Sequence, residues 1–227
     1  MNRVFFRILI AIVFLGNCAI VHAQKMDERS DNQVSLAGIR ALAILQTLNA
    51  NLLASKSATQ TLQAWCEDHQ MAPMPKIIAL RDTQTVKEAN EEIRTLLKVS
   101  DAEPVRYRRV RLVCGNHVLS QADNWYVPSR LTDDMNLLLM QTDTPFGTAV
   151  RQLNFHRQTE RSTLLWNPLP KNWDQKRSIQ NKGPVDLKIP ELVLQHQAIL
   201  LTDKNIPFSV VIESYTNEIF AFPMNER

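Results

Sequence analysis

Two charged residues inside otherwise apolar, strand-like segments are the strongest candidates for chemistry. Arg108 lies in VRYRRVRLVC, residues 105–114, and Glu213 lies in PFSVVIES, residues 207–214. A guanidinium can hold a carboxylate through two parallel hydrogen bonds. An enclosed glutamate tends to have a raised pKa, which suits proton transfer. These residue types therefore suggest anion binding by the arginine and proton transfer by the glutamate.

The alternation of strand residues directs Arg108 toward the interior. Successive side chains of a strand point to opposite faces, so Arg108 shares a face with Val110 and Leu112. Arg109 and Arg111 fall on the other face, where we expect them to be solvated. A buried guanidinium without a partner is costly, so Arg108 requires a carboxylate, either from the protein or from a ligand.

Glu213 follows a run that is apolar on both faces as far as Ile212. One interpretation makes Glu213 a proton-transfer group in a pocket. The other makes it the structural partner of Arg108. The residue pattern leaves both interpretations open.

The surrounding elements predict one α+β domain with an antiparallel sheet. Leucine and isoleucine at helical spacing after Ser35 predict a core helix over residues 35–54, and a second, shorter helix begins at Ser57. The other predicted elements are a strand from Pro75, an amphipathic helix from Val86, two strands joined at Gly115 and Asn116, a helix that starts at Thr132 to Asp134, a strand near Val150 to His156, and two closing strands around Asp203 to Asn205.

Residues 157–190 show no period and contain Gly183 and four prolines, so we predict a long irregular loop there. Its basic residues are expected to form a solvated surface; they are Arg157, Arg161, Lys171 and Arg177.

The first 23 residues have the pattern of a secretory signal peptide. Arg3 and Arg7 precede an apolar run, and Ala23 suits cleavage before Gln24, with an uncleaved N-terminal anchor as the alternative. Removing residues 1–23 from the 227-residue chain leaves 204 residues and lowers the formal charge from +3 to +1. We therefore expect a secreted or periplasmic protein of one domain, with no nucleic-acid partner and no stable membrane span after signal cleavage.

Two cysteines, Cys66 and Cys114, remain in the predicted mature chain. Export would permit a disulfide bond between them, and two buried thiols are the alternative. The histidines are scattered over different elements and no phosphate-binding loop or nucleophile motif is present, so the sequence suggests neither a metal nor a cofactor.

Several segments in order resemble the chorismate lyase family. They are Arg108 on its strand, VLSQADNWYVP on the next strand, DTPFG after an apolar helix, SATQTL at residues 57–62, and IPFSVVIES with Glu213. The resemblance covers about residues 40–220. It implies an antiparallel sheet of about six strands with helices packed on one side.

The resemblance also implies a function. The family releases pyruvate from chorismate, or here from a related enol ether, and leaves a 4-hydroxybenzoate-type product without a cofactor. By that analogy Arg108 and the Phe146 amide hold the ring carboxylate, and Glu213 handles the proton. The neighbouring Thr144, Gly147, Ser57 and Thr59 would complete the substrate site.

Two further hypotheses stand beside the lyase. One is a non-catalytic periplasmic binding protein for a small aromatic carboxylic acid. The other is a structural or interaction protein in which Arg108 and Glu213 merely pair. The sequence does not determine the oligomeric state.

Overall fold

An antiparallel sheet of six strands forms the centre of the computed structural model, which describes residues 34–175 and 187–222. The strands are β1 (Ile77–Asp82), β2 (Arg106–Cys114), β3 (His117–Tyr126), β4 (His156–Leu164), β5 (Leu192–Leu201) and β6 (Pro207–Thr216). They are arranged in the order β1-β2-β3-β6-β5-β4, so β1 and β4 are the sheet edges.

The helices other than α5 begin where the sequence supplies capping side chains. They are α1 (Leu36–Ala54), α2 (Ala58–Asp68), α3 (Glu91–Leu97), α4 (Asp133–Gln141) and the four-residue α5 (Phe146–Ala149). Ser35, Ser57 and Thr132 each accept a hydrogen bond from a backbone N–H in the first turn of α1, α2 and α4. Such a cap stabilises a helix by about 1 kcal/mol.

The largest hydrophobic cluster lies between the two long helices and the sheet. Leu45 and Leu48 of α1 and Leu62 of α2 pack there with Leu112 and Tyr215 of the strands. By length and composition α1 could also cross a membrane, but its buried leucines contribute to this core. The predicted α+β fold, with a six-stranded antiparallel sheet and helices packed on one side, is confirmed.

A disulfide bond and a tight turn fix the end of β2. Cys66 of α2 is bonded to Cys114, with their Cα atoms 6.1 Å apart. Gly115 follows with φ at 58°, where a Cβ atom would lie 2.8 Å from the Cβ of Ala72. The bond therefore ties α2 to the strand that carries Arg108.

Two predicted elements have different bounds. The strand expected near residues 150–156 is β4, which runs through residues 157–164 of the predicted loop, while Arg151–Leu153 form a 3₁₀ turn. Because β4 is a sheet edge, it carries polar residues on both faces and shows no apolar alternation. The helix expected from Val86 begins only at Glu91, after Asn90 as its cap. Residues 176–186 of the predicted loop and the predicted signal peptide, residues 1–23, lie outside the described residues.

Candidate functional site

A pocket that is partly open to solvent lies between the sheet, the start of α2 and the start of α5; the empty space there, with its open mouth included, is about 610 Å³. Valine, leucine and alanine side chains from β2, β3, β5 and β6 form its apolar walls. Its charged lining residues are Lys56, Arg157 and Glu213. The predicted site residues that line it are Ser57, Thr59, Phe146, Gly147 and Glu213.

Strand register explains why Glu213 faces this pocket. Val110, Ala122, Glu213 and His196 lie opposite one another on β2, β3, β6 and β5. Directly opposed residues share a face of the sheet. The pocket therefore uses the face that the sequence analysis assigned to Arg108 and Val110.

Glu213 is held by two neighbours inside the fold. Its Oε2 atom accepts a hydrogen bond from Arg157 Nη1 at 2.6 Å and another from the Tyr215 hydroxyl at 3.2 Å. The side chains of Arg157 and Glu213 are only 5% and 11% exposed. Glu213 is thus part of a buried ion pair, and its partner is Arg157 rather than Arg108.

Burial and the charges of this ion pair shift the pKa values of Arg157 and Tyr215. Burial by itself would lower the pKa of Arg157, but the Glu213 carboxylate, with help from Tyr215, raises it above its usual value. Burial and, after it, the Glu213 carboxylate raise the pKa of the Tyr215 hydroxyl well above its usual value. Arg157 is therefore a permanent cation and Tyr215 a permanent hydrogen-bond donor at ordinary pH.

Arg108 is buried, as predicted, but it does not line the pocket itself. It is 4% exposed, and its Nη2 atom donates to the carbonyl oxygens of Thr142 at 3.2 Å and Thr144 at 2.8 Å. Its Nε and Nη1 atoms have no hydrogen-bond partner within the described part of the chain. Thr144 immediately precedes the pocket residues Pro145 and Phe146, so Arg108 supports the turn that forms one wall.

His196 lies fully buried beside the ion pair. Its Nε2 atom is 2.8 Å from Asn49 Oδ1 and 3.1 Å from Ser162 Oγ. Burial and then the nearby Arg157 lower the pKa of His196 to about 4, so the ring is neutral at ordinary pH.

Three polar residues of the pocket were not predicted from the sequence: Lys56, Asn124 and Arg157. The prediction that Arg157 belongs to a solvated basic surface is wrong, because β4 turns this side chain inward to Glu213. A signal for Arg157 was present: its position next to the predicted strand end at His156 made a strand continuation possible.

Among residues 34–175 and 187–222, no group of three His, Cys, Asp or Glu side chains could hold a metal ion.

Comparison with known proteins decides the family. No family model matches the chain. The uncharacterized protein y4mC of Sinorhizobium fredii (strain NBRC 101917 / NGR234) is 50% identical over 189 residues, which cover 83% of this chain and 80% of that protein. The chain belongs to the y4mC family.

Solved structures with partial likeness to this y4mC family member include domains of transcriptional regulators. The effector domain of PhnF from Mycobacterium smegmatis aligns with 11% identity over 72% of this chain and 90% of that chain, with a TM-score of 0.45. A transcriptional regulator of the GntR family from Bacillus cereus aligns with 11% identity over 66% of this chain and 99% of that chain, with a TM-score of 0.39.

These comparisons correct the functional predictions. The proposed membership of the chorismate lyase family is wrong, because the sequence relative is y4mC and the structural neighbours are regulator domains. The predicted cleavage of chorismate or a related enol ether is wrong for the same reason, and the comparisons do not support the alternative of a periplasmic binding protein for an aromatic acid. The exclusion of nucleic acid from the partners is also wrong, because these neighbours come from transcriptional regulators. The comparisons give no support to a signal peptide or to a periplasmic location.

Proposed function

We propose that this protein is a ligand-binding domain with a regulatory rather than a catalytic role, and that its ligand is a small molecule held in the pocket. The observation that carries the proposal is the engagement of Glu213 by Arg157 and Tyr215. A general base must reach the proton it removes. A carboxylate already held by a cation and a hydroxyl is better suited to fixing a ligand's orientation.

The composition of the pocket supports binding. Small-molecule sites are concave and mostly apolar, with a few convergent polar groups that set orientation. Here Val110, Leu112 and Val211 supply apolar walls, while Lys56 and Glu213 supply charge. The Ser57 hydroxyl is engaged as the N-cap of α2, where it accepts from the Gln60 N–H.

The position of the pocket supports regulation. Its walls come from the sheet, from the start of α2 and from the turn before α5, so a bound ligand would contact all three. A ligand that prefers one arrangement of these elements shifts the protein toward it. Occupancy of the pocket can thereby be transmitted to whatever contacts α2 or α5.

A thermal-shift screen of small metabolites tests this proposal. Ala122→Leu places extra bulk in the pocket, and Gln121→Leu places the same side chain on the opposite face as a matched control. We expect ligands that raise Tm in wild type and in Gln121→Leu but not in Ala122→Leu. Mass spectrometry after prolonged incubation should recover each ligand unchanged. Conversion to a product would refute the regulatory role, and stabilisation that Ala122→Leu leaves intact would refute the pocket.

A further inference from the structure

Two arginines on neighbouring strands keep buried hydrogen-bond donors without partners. In Arg108 these are Nε and Nη1, and in Arg81 it is Nε. Both side chains lie on the pocket face of the sheet, since Arg81 is opposite Val110 and Arg108 is two residues before Val110. Diagonal neighbours of this kind have Cα atoms roughly 7–8 Å apart, within reach of two long side chains.

One other nitrogen of each arginine donates to backbone carbonyl oxygens. Arg81 Nη1 donates to the carbonyl oxygens of Leu139 and Met140 at the end of α4. Arg108 Nη2 donates to the carbonyls of Thr142 and Thr144. Backbone carbonyl groups therefore hold the two guanidiniums in place, while the nitrogen atoms named above have no hydrogen-bond acceptor among the described residues.

This pair of charges has no paired carboxylate among the described residues. Within the described ranges no ion pair joins Arg81 or Arg108 to a carboxylate, and Asp143 acts on Arg108 only at longer range. A third guanidinium, Arg106, lies on the same strand and face and contacts Met140 Sδ. Burial, and then the charge of Arg81, lower the pKa of Arg108. A buried cation such as Arg108 is costly without a counter-charge, unless an anion joins it.

We infer that Arg81 and Arg108 together bind a doubly charged tetrahedral oxyanion, the phosphate group of a phosphomonoester ligand. A phosphate monoester has a charge near −2 and three strong acceptor oxygens at pH 7. These match two guanidiniums and three unpartnered nitrogen atoms. A carboxylate has one charge and two oxygens, and it would leave one cation unpaired.

This inference rests on the proposed function, because the rest of the ligand would occupy the pocket. Arg108 lies opposite Asn124, which lines the pocket, and it holds Thr144 next to the lining residue Pro145. The phosphate would enter from that end and contact the arginines under the Thr142 to Pro145 turn.

Isothermal titration calorimetry with phenyl phosphate, benzoate and inorganic phosphate tests the inference. Phenyl phosphate and benzoate share a ring and differ in the anion. We expect wild type to bind phenyl phosphate at least tenfold more tightly than benzoate. Arg81→Gln and Arg108→Gln should each weaken phenyl phosphate binding at least tenfold, as loss of a charge-assisted hydrogen bond requires. Arg111→Gln removes an exposed arginine from the other face of β2 and should change affinity less than twofold.

Several results would overturn the inference. They are equal or tighter binding of benzoate, no binding of phenyl phosphate or inorganic phosphate, and an Arg81→Gln variant that behaves like Arg111→Gln. If Arg108→Gln does not fold, as judged by circular dichroism, Arg108→Lys takes its place. Lysine keeps the charge but lacks the planar fork, so the tenfold loss is still expected.

The two proposals can fail separately. Ligands that Ala122→Leu displaces but neither arginine variant affects would refute the phosphate site and leave the pocket standing. Phenyl phosphate binding that depends on both arginines but survives Ala122→Leu would support the anion site and refute the pocket.

Discussion

The ion pair between Arg157 and Glu213 should contribute strongly to stability. The paired atoms are 2.6 Å apart, and both side chains are almost fully buried. Removing one partner of a buried pair leaves the other charge without compensation, which costs about 3–5 kcal/mol. Tyr215 still donates to Glu213 when Arg157 is lost, so we expect the lower end of that range, about 3 kcal/mol, for Arg157→Met.

A double-mutant cycle measures the coupling free energy between Arg157 and Glu213 directly. Glu213→Gln should cost about as much as Arg157→Met, because it leaves the guanidinium buried and uncompensated. The double variant removes both charges, so its loss should be smaller than the sum by about 2–3 kcal/mol. At about 2–4 °C per kcal/mol for a domain of this size, each single variant should melt about 6–12 °C lower.

Urea unfolding followed by tryptophan fluorescence measures these free energies of unfolding. The control cycle uses Arg161 and Glu92, an ion pair of 3.4 Å with side chains 65% and 53% exposed. Its coupling should be below about 1 kcal/mol. The stability losses of the two single variants could instead add, within about 0.5 kcal/mol, to the loss of the double variant. In that case the ion pair does not hold Glu213, and the argument against catalysis by Glu213 fails.

Three further predictions concern stability. Burial lowers the pKa of His196 to about 4, while an unfolded histidine titrates near 6.5. Between these two pKa values the unfolded state binds a proton at His196 and the folded state does not. The free energy of unfolding should therefore fall by about 2 kcal/mol from pH 7 to pH 5. Urea titrations of the His196→Gln variant should not show this fall. Replacing Cys66 and Cys114 by alanine should cost about 4 kcal/mol, because the bond joins residues separated by 48 positions; equal urea midpoints with and without reductant would contradict this. Gly115→Ala should cost about 1–3 kcal/mol, seen as a lower Tm, because φ is 58° there and the new methyl group meets a neighbouring side chain.

Local patterns in the sequence predict much of the fold. Ser35, Ser57 and Thr132 could be recognised as helix caps because a cap depends on a few adjacent residues. Alternation in β2 correctly predicted a buried Arg108 and an exposed Arg111 because one face of that strand packs on the core. In both cases the information lies within ten residues of the position concerned.

The edge strand β4 could not be recognised in the same way. Its sequence HRQTERSTL carries polar residues at nearly every position, since the strand pairs on one side only and its outer face is solvated. Without an apolar face there is no period of two to detect. Because the strand was not recognised, Arg157 was predicted to lie on a loop surface.

The partner of Glu213 depends on sheet order, which alternation does not encode. The strand of Arg108 is separated from β6 by β3, and the strand of Arg157 is separated from β6 by β5. From sequence, therefore, either arginine could have met the glutamate. That choice decides which cation is left for a ligand. Paired with Arg108, Glu213 would have left Arg157 without a counter-charge in the pocket. Paired with Arg157, it leaves Arg108 and Arg81 as uncompensated cations next to an apolar pocket, an arrangement suited to recognising an anion.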